Sequence, residues 1–289
     1  MKVDFHVHST ASDGTLPPAE IAANGDSFAA MALTDHDNAD GAAEFLSAAC
    51  SGRCRRYAGI ELSIEPGDGF DKFHLLGIGI DPADEGIKSF LGRILEGRRA
   101  RNERIIDNFR RIGIEMDGAG VRGGVHSYAH GEVLARPHFA RWLVDNGRAS
   151  SVAEAFDRYL LPGSPSETRC YEKRWHPPQE DSIAAIHRAG GLCVMAHPKY
   201  WLDEWKISGC DYDAAERGLA ALKEKGLDGV EALYQANTQE ENFAFCRIAS
   251  RLGYLLSAGS DFHGANKPQI GLGMEVSEDF ITPLLEALK

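Results

Sequence analysis

Seven short apolar or alternating segments recur along this chain, most of them separated by a helical pattern, and this alternation restricts the fold more than any other feature. The segments are "KVDFHVH" (2–8), "AMALT" (30–34), "RRYAGIELSI" (55–64), "KFHLLGIGI" (72–80), "LCVMA" (192–196), "GVEAL" (229–233) and "YLLSAG" (254–259). Helical patterns such as "PPAEIAANGDSFA", "QEDSIAAIHRAG", "ERGLAALKEKG" and "ENFAFCRIASRLG" lie between them, several ending at Gly. Strands alternating with helices predict an α/β fold with a largely parallel sheet, open or closed into a barrel. Residues 87–170 break the rhythm. They read as helices around a Gly-rich loop with no clear strand, so we expect a helical insert at 87–170 that caps a barrel built from 1–86 and 171–289.

In the first segment Val3, Phe5 and Val7 alternate with Asp4, His6 and His8, the two-residue period of a strand, which turns both histidines to one face. Other metal-binding types cluster where segments end: Asp35 and His36 in "LTDHD", Glu61 in "GIELS", His74 in "DKFHLLG", His197 in "MAHP", and Asp261 and His263 in "SDFH". In parallel α/β folds the C-terminal strand ends converge on one mouth, where loops build the site. Each fragment also has a plainer reading. The HxH pair could line a polar groove, "TDHD" could cap a helix, "MAHP" could be a buried His before a rigid Pro, and "SDFH" could be a turn. Their combination is a donor set suited to zinc, manganese or iron.

Composition removes several function classes. A formal net charge of −12 argues against a protein that grips long nucleic acid, because neutralising phosphates needs clustered Lys and Arg. The six cysteines, Cys50, Cys54, Cys170, Cys193, Cys210 and Cys246, form no CxxC pair and read as buried reduced thiols. With no basic-then-apolar leader and no apolar run long enough to span a bilayer, the expectation is a cytoplasmic protein with no membrane partner.

Taken in order, "DFHVHSTASDG", "LTDHD", "GIE", "HLLG", "AHP" and "GSDFHG" resemble the polymerase and histidinol phosphatase (PHP) family of metal-dependent phosphoesterases, over nearly the whole chain. The resemblance implies a distorted seven-stranded β/α barrel and three divalent ions, manganese foremost, with iron or zinc as alternatives. It places His6, His8, Glu61 and Asp261 on the first ion, with Glu61 bridging to a second held by His74 and His197. Asp13, His36 and His263 would hold the third. Asp35, and Asp37 with it, would orient imidazoles from behind. The implied reaction is hydrolysis at phosphorus by a hydroxide bridging two ions.

Within the insert, Arg101 and Asn102 in "GRRARNERI" and Arg136 and His138 in "ARPHF" are expected to bind substrate phosphate, since guanidinium forks match its geometry. His138 is a candidate general acid. The plainer reading for Arg98, Arg99 and Arg104 is a solvated helix face. Family members with such an insert carry a Gly-Lys-Pro turn where this chain has "PGSP", so Ser164 replaces the lysine and Arg169 is a candidate substitute. We therefore expect a phosphoesterase acting on a small phosphorylated ribose compound, either a five-membered cyclic ribose phosphate, which the lost lysine favours slightly, or a nucleoside 3′,5′-bisphosphate. Histidinol-phosphate phosphatase, short-RNA exonuclease and a non-catalytic metal-stabilised domain are the alternatives. His126 and His130 read as loop residues, His176 and His187 as surface, and Trp201, Trp205 and Tyr212 as loop packing or a pocket wall.

Overall fold

The computed structural model describes residues 1–49, 52–65, 73–116, 120–121, 134–200 and 212–288. His126, His130, Trp201, Trp205, Cys50 and Cys210 lie outside these residues. All seven expected segments form strands: β1 (Lys2–Val7), β2 (Ala30–Leu33), β3 (Arg55–Ser63), β4 (His74–Ile78), β5 (Leu192–Met195), β6 (Gly229–Tyr234) and β7 (Leu255–Gly259). A two-residue β8 (Met274–Glu275) adds an eighth strand antiparallel to β1, and the sheet order is β7-β6-β5-β4-β3-β2-β1-β8. The sheet nearly closes into a barrel, because the chain leaving β7 bonds to β1: Asp261 N–H donates to His6 O (2.9 Å) and His8 N–H to Phe262 O (3.0 Å).

One strand runs against the parallel expectation. β4 is antiparallel to both β3 and β5, while β1–β2–β3 and β5–β6–β7 are parallel. Only residues 64–73 separate β3 from β4, and a parallel crossover needs a dozen or more. This reversal brings His74, the first residue of β4, to the same rim as the C-terminal ends of the parallel strands.

Among the described residues the α-helices include α1 (Pro18–Ala23), α2 (Ala42–Ser47), α3 (Glu85–Arg111), α4 (Arg136–Asp145), α5 (Val152–Ala155), α6 (Gln179–Arg188), α7 (Tyr212–Glu224), α8 (Gln239–Arg251) and α9 (Glu278–Ala287). The sheet is covered on both faces. Val3, Phe5, Ala30, Leu76 and Val194 pack against Ile281 and Leu284 of α9, whereas Ile60, Leu75, Met195 and Val230 pack against α3, α6, α7 and α8. The long helix α3, started by the Asp84 carboxylate accepting from Ile87 N–H (2.8 Å), serves two cores. Its Ile87, Phe90 and Ile94 belong to the barrel, while Ile105 and Phe109 join Phe139, Leu143 and Tyr159 in a core of the insert's own. Cys170 and Cys193 are buried free thiols. Among the described residues no helix is long and apolar enough to cross a membrane.

Candidate active site

The alternation in β1 sends Val3, Phe5 and Val7 into apolar cores and Asp4, His6 and His8 the other way, all of them buried. Glu61, fully buried on β3, is the hub of the site. Its Oε1 lies 2.7 Å from His74 Nδ1, 3.1 Å from His197 Nε2 and 3.4 Å from His6 Nε2. Its Oε2 lies 2.7 Å from His36 Nδ1 and 3.2 Å from His8 Nε2. Asp261 Oδ1 faces His6, His8 and His263 at 3.6, 3.4 and 3.4 Å. Asp13 Oδ1 faces His263 and His36 at 3.3 and 3.7 Å.

All nine residues named from the sequence thus meet in one place. Their donor atoms fall into four overlapping groups, each within 4.8 Å: His8, Asp13, His36 and His263; His6, His8 and Asp261; His6, Glu61 and His197; His36, Glu61 and His74. Burial favours neutral carboxyls, yet the surrounding imidazoles hold Glu61, Asp13 and Asp261 well below the ordinary range. Burial likewise favours neutral imidazole, but Glu231, Glu61 and Asp261 keep His6 well above its usual value, and Asp261 and Glu61 lift His8 to about 9. Glu61 Oε2 and Asp13 Oδ1 are buried and receive no well-aligned hydrogen bond, an arrangement that divalent cations would satisfy and protons do not. The mixed imidazole and carboxylate donors fit Zn, Mn or Fe equally.

Backbone strain accompanies the donors. Asp37, His197 and Asp261 are the non-glycine residues with positive φ (54°, 29° and 60°) among those described, and such strain gathers at functional sites.

Sequence reasoning missed Glu231 and misread Asp35. Glu231 accepts from His6 Nδ1 (2.9 Å) and from His197 N–H (2.6 Å), so one buried carboxylate orients two ring-bearing elements and leaves His6 Nε2 directed at the cluster. A lone Glu inside the apolar run "GVEAL" was the available signal. Asp35 touches no imidazole; it accepts from Ser9 N–H and Oγ (both 2.7 Å) and Ser12 Oγ (2.5 Å), and only Ser12 reaches His8 Nδ1, at 3.4 Å. Asp4 ties β1 to the β7 exit through Ser260 N–H and Oγ, and burial raises its carboxyl to about 6 despite these bonds. Gly259 makes room for Glu231: a Cβ there would stand 2.1 Å from Glu231 Oε1 and 2.4 Å from His6 Cβ. Gly259→Ala is expected to lower metal content and to destabilise by about 1–3 kcal/mol, the usual range for overpacking, as elemental analysis and denaturant melts would show.

A second charged group, drawn from α3, α4, Asp37 and Arg174, lies beside the first. Asp37 accepts from Arg98 Nε (2.8 Å) and Nη2 and from Arg174 Nη1 (2.6 Å), so Arg98 is not on a solvated face. Arg104 and Arg99 do lie exposed. Arg101 and Asn102 are buried and both reach Leu134 O (3.5 and 3.1 Å), while Arg136 stands over the Tyr171 and Phe156 rings. Among the described residues Asp37 is the carboxylate in contact with this arginine group. Burial, reinforced by Arg98, Arg174 and Arg136, pushes Arg101 down to about 8.

Arg169 is exposed and bonds Pro162 O (3.0 Å), and Ser164 is an uncharged, buried turn residue bonded to Leu161 N–H (3.1 Å) and Phe156 O (3.2 Å). His176 is buried against Arg174 Nε (3.1 Å) rather than on the surface, His187 is exposed and pairs with Asp228, and Tyr212 packs edge-on to Phe245. A cleft of about 870 Å³ opens beside the cluster, lined among others by Asp13, His36, His263, His138, Arg141 and Lys267.

Comparison with known proteins agrees with this architecture. The model of the PHP domain matches residues 4–132. A 3′,5′-nucleoside bisphosphate phosphatase of Chromobacterium violaceum is 33% identical over 268 residues, covering 90% of this chain and 87% of that one. A 5′-3′ exoribonuclease of Haemophilus influenzae is 31% identical, covering 91% and 90%. A phosphoribosyl 1,2-cyclic phosphate 1,2-diphosphodiesterase of Eggerthella lenta is 25% identical, covering 93% and 97%. With the Chromobacterium violaceum relative 33% identical along 90% of this chain and the donors converging as described, the chain belongs to the PHP domain family.

Proposed function

We propose that this protein is a metal-dependent phosphoesterase that hydrolyses small phosphorylated ribose compounds, with a nucleoside 3′,5′-bisphosphate as the preferred class. The observation that carries the reading is the adjacency of two charged groups: nine imidazole and carboxylate donors around Glu61, and the guanidinium group of Arg98, Arg101, Arg136 and Arg174 with Asp37 as its counter-ion. His138 lines the cleft with Asp13, His36 and His263 and also feels the charges of Arg98 and Arg101. A ligand with two phosphates suits such a pair, one for each group. The slight preference for a cyclic ester rested on a missing lysine, and four clustered arginines make that loss immaterial.

His6, His8, Glu61 and Asp261 would hold one cation, Glu61, His74 and His197 a second, and Asp13, His36 and His263 a third, manganese being the first choice. Bound there, divalent ions supply polarisation of phosphoryl oxygens and acidified water. The chain's own residues do the rest. Glu231 holds His6 and the His197 backbone in register, Arg101, Asn102 and Arg136 bind the phosphate remote from the reaction, and His138 directs a ring N–H toward the reacting group. The chain's net charge of −12 argues for a small substrate over long nucleic acid, whose grip needs many clustered Lys and Arg.

Manganese-loaded protein should release phosphate fastest from a nucleoside 3′,5′-bisphosphate, with a cyclic ribose phosphate, histidinol phosphate and a short 5′-phosphorylated RNA as comparisons. Faster stepwise trimming of the RNA would make it an exonuclease instead. Hydrolysis of none of these would overturn the reading.

A further inference from the structure

We propose that Lys267 is a substrate-binding residue, contacting the phosphate that enters the metal-donor cluster; this rests on the function proposed above. Lys267 follows the short helical turn Gly264–Asn266, and its side chain lines the cleft together with Asp13, His36, His138 and His263. The ammonium sits 2.6 Å from Asp261 Oδ2, and Tyr234 Oη donates to the same oxygen at 3.0 Å. The two donors saturate Oδ2 and leave Oδ1, the oxygen nearest His6, His8 and His263, for the cluster. An ammonium carries three N–H donors, and among the described residues Asp261 is the side-chain acceptor that Lys267 meets. The side chain is only 35% exposed, so its other two donors are held at the cleft wall rather than waving in solvent.

Asp261 therefore fixes the ammonium, and the ammonium presents charge to whatever anion occupies the cleft. Because Tyr234 holds Asp261 Oδ2 independently, loss of Lys267 should leave the donor cluster assembled.

The test uses full-length, manganese-loaded protein. Lys267→Met and Lys267→Arg would be compared with wild type for metal stoichiometry by elemental analysis, for inorganic phosphate affinity by calorimetry, and for kcat and KM. A charge-assisted hydrogen bond is worth enough to predict that Lys267→Met weakens phosphate binding and raises KM by about 10- to 100-fold. Metal stoichiometry should stay at the wild-type value, and Lys267→Arg should recover most of the affinity. Tyr234→Phe, which removes the other donor to Oδ2, should leave phosphate affinity within about twofold. Unchanged phosphate affinity in Lys267→Met, or loss of metal that Lys267→Arg restores, would overturn the proposal. If wild-type protein binds phosphate through Lys267 yet hydrolyses no ester, the functional reading fails and this inference stands.

Discussion

Glu61→Gln is expected to abolish activity and most metal binding, the largest effect of any single change in this protein. The carboxylate meets five imidazoles, His74, His197 and His6 through one oxygen and His36 and His8 through the other. An amide keeps the shape, removes the charge, and points an N–H at ring nitrogens. Polarisation by metal contributes several kcal/mol to such reactions, so the loss in kcat should be about 10³-fold or more. Two further measurements separate metal loss from misfolding. Manganese should raise the melting temperature of wild type, because a ligand present at about a thousand times its Kd adds about 4 kcal/mol; it should leave Glu61→Gln unmoved. Circular dichroism of the two metal-free proteins should coincide. Wild-type metal content in the variant would show that Glu61 is not the hub of a metal centre.

The legible part of this molecule was the part written in periodicity. Alternation in "KVDFHVH" is a local property, and it fixes which side of β1 carries His6 and His8 whatever the rest of the chain does. The same logic located the other strands and therefore the rim where His36, Glu61, His197, Asp261 and His263 meet. His74 reached the rim for a different reason. β4 is reversed, so its first residue occupies the level of its neighbours' last ones, and the short 64–73 connection was the unread cue. Glu231 and Asp37 were harder, since their partners are distant in sequence: His6 lies 225 positions from Glu231 and Arg174 lies 137 from Asp37. A charge in an apolar strand announces that it needs a partner, without saying which. Arg98 misled for the complementary reason. On a helix rich in arginine the solvated reading is the usual one, and only the packing of α3 over the barrel brings this residue to Asp37.

His138→Gln is expected to lower kcat by about 10²- to 10³-fold, the cost of losing one positioned donor to developing charge, while metal content and the melting temperature stay near wild type. The expected role is that of a neutral N–H donor rather than a proton-donating imidazolium. Ala135 N–H donates to His138 Nδ1 at 2.7 Å, so the proton of this ring resides on Nε2 and the ring is neutral. Burial lowers its pKa, and this outweighs the opposing pull of Asp13 and of the backbone at Ala135; Arg98 and Arg101 lower it further. Cations held at Asp13 would depress it again. At neutral pH the residue thus offers an N–H without carrying charge, and it cannot take a second proton without setting two donors against each other at Nδ1. The sign of the pH dependence follows. If the neutral ring is the working form, its contribution is complete above the depressed pKa and fades as pH falls through it. An imidazolium acid would behave in the opposite way, gaining activity as pH falls. The pH profile of kcat in wild type divided by that in His138→Gln isolates this group: a ratio that is flat at neutral and alkaline pH and declines on the acid side supports the neutral donor, and a ratio that rises toward acid assigns His138 to proton transfer.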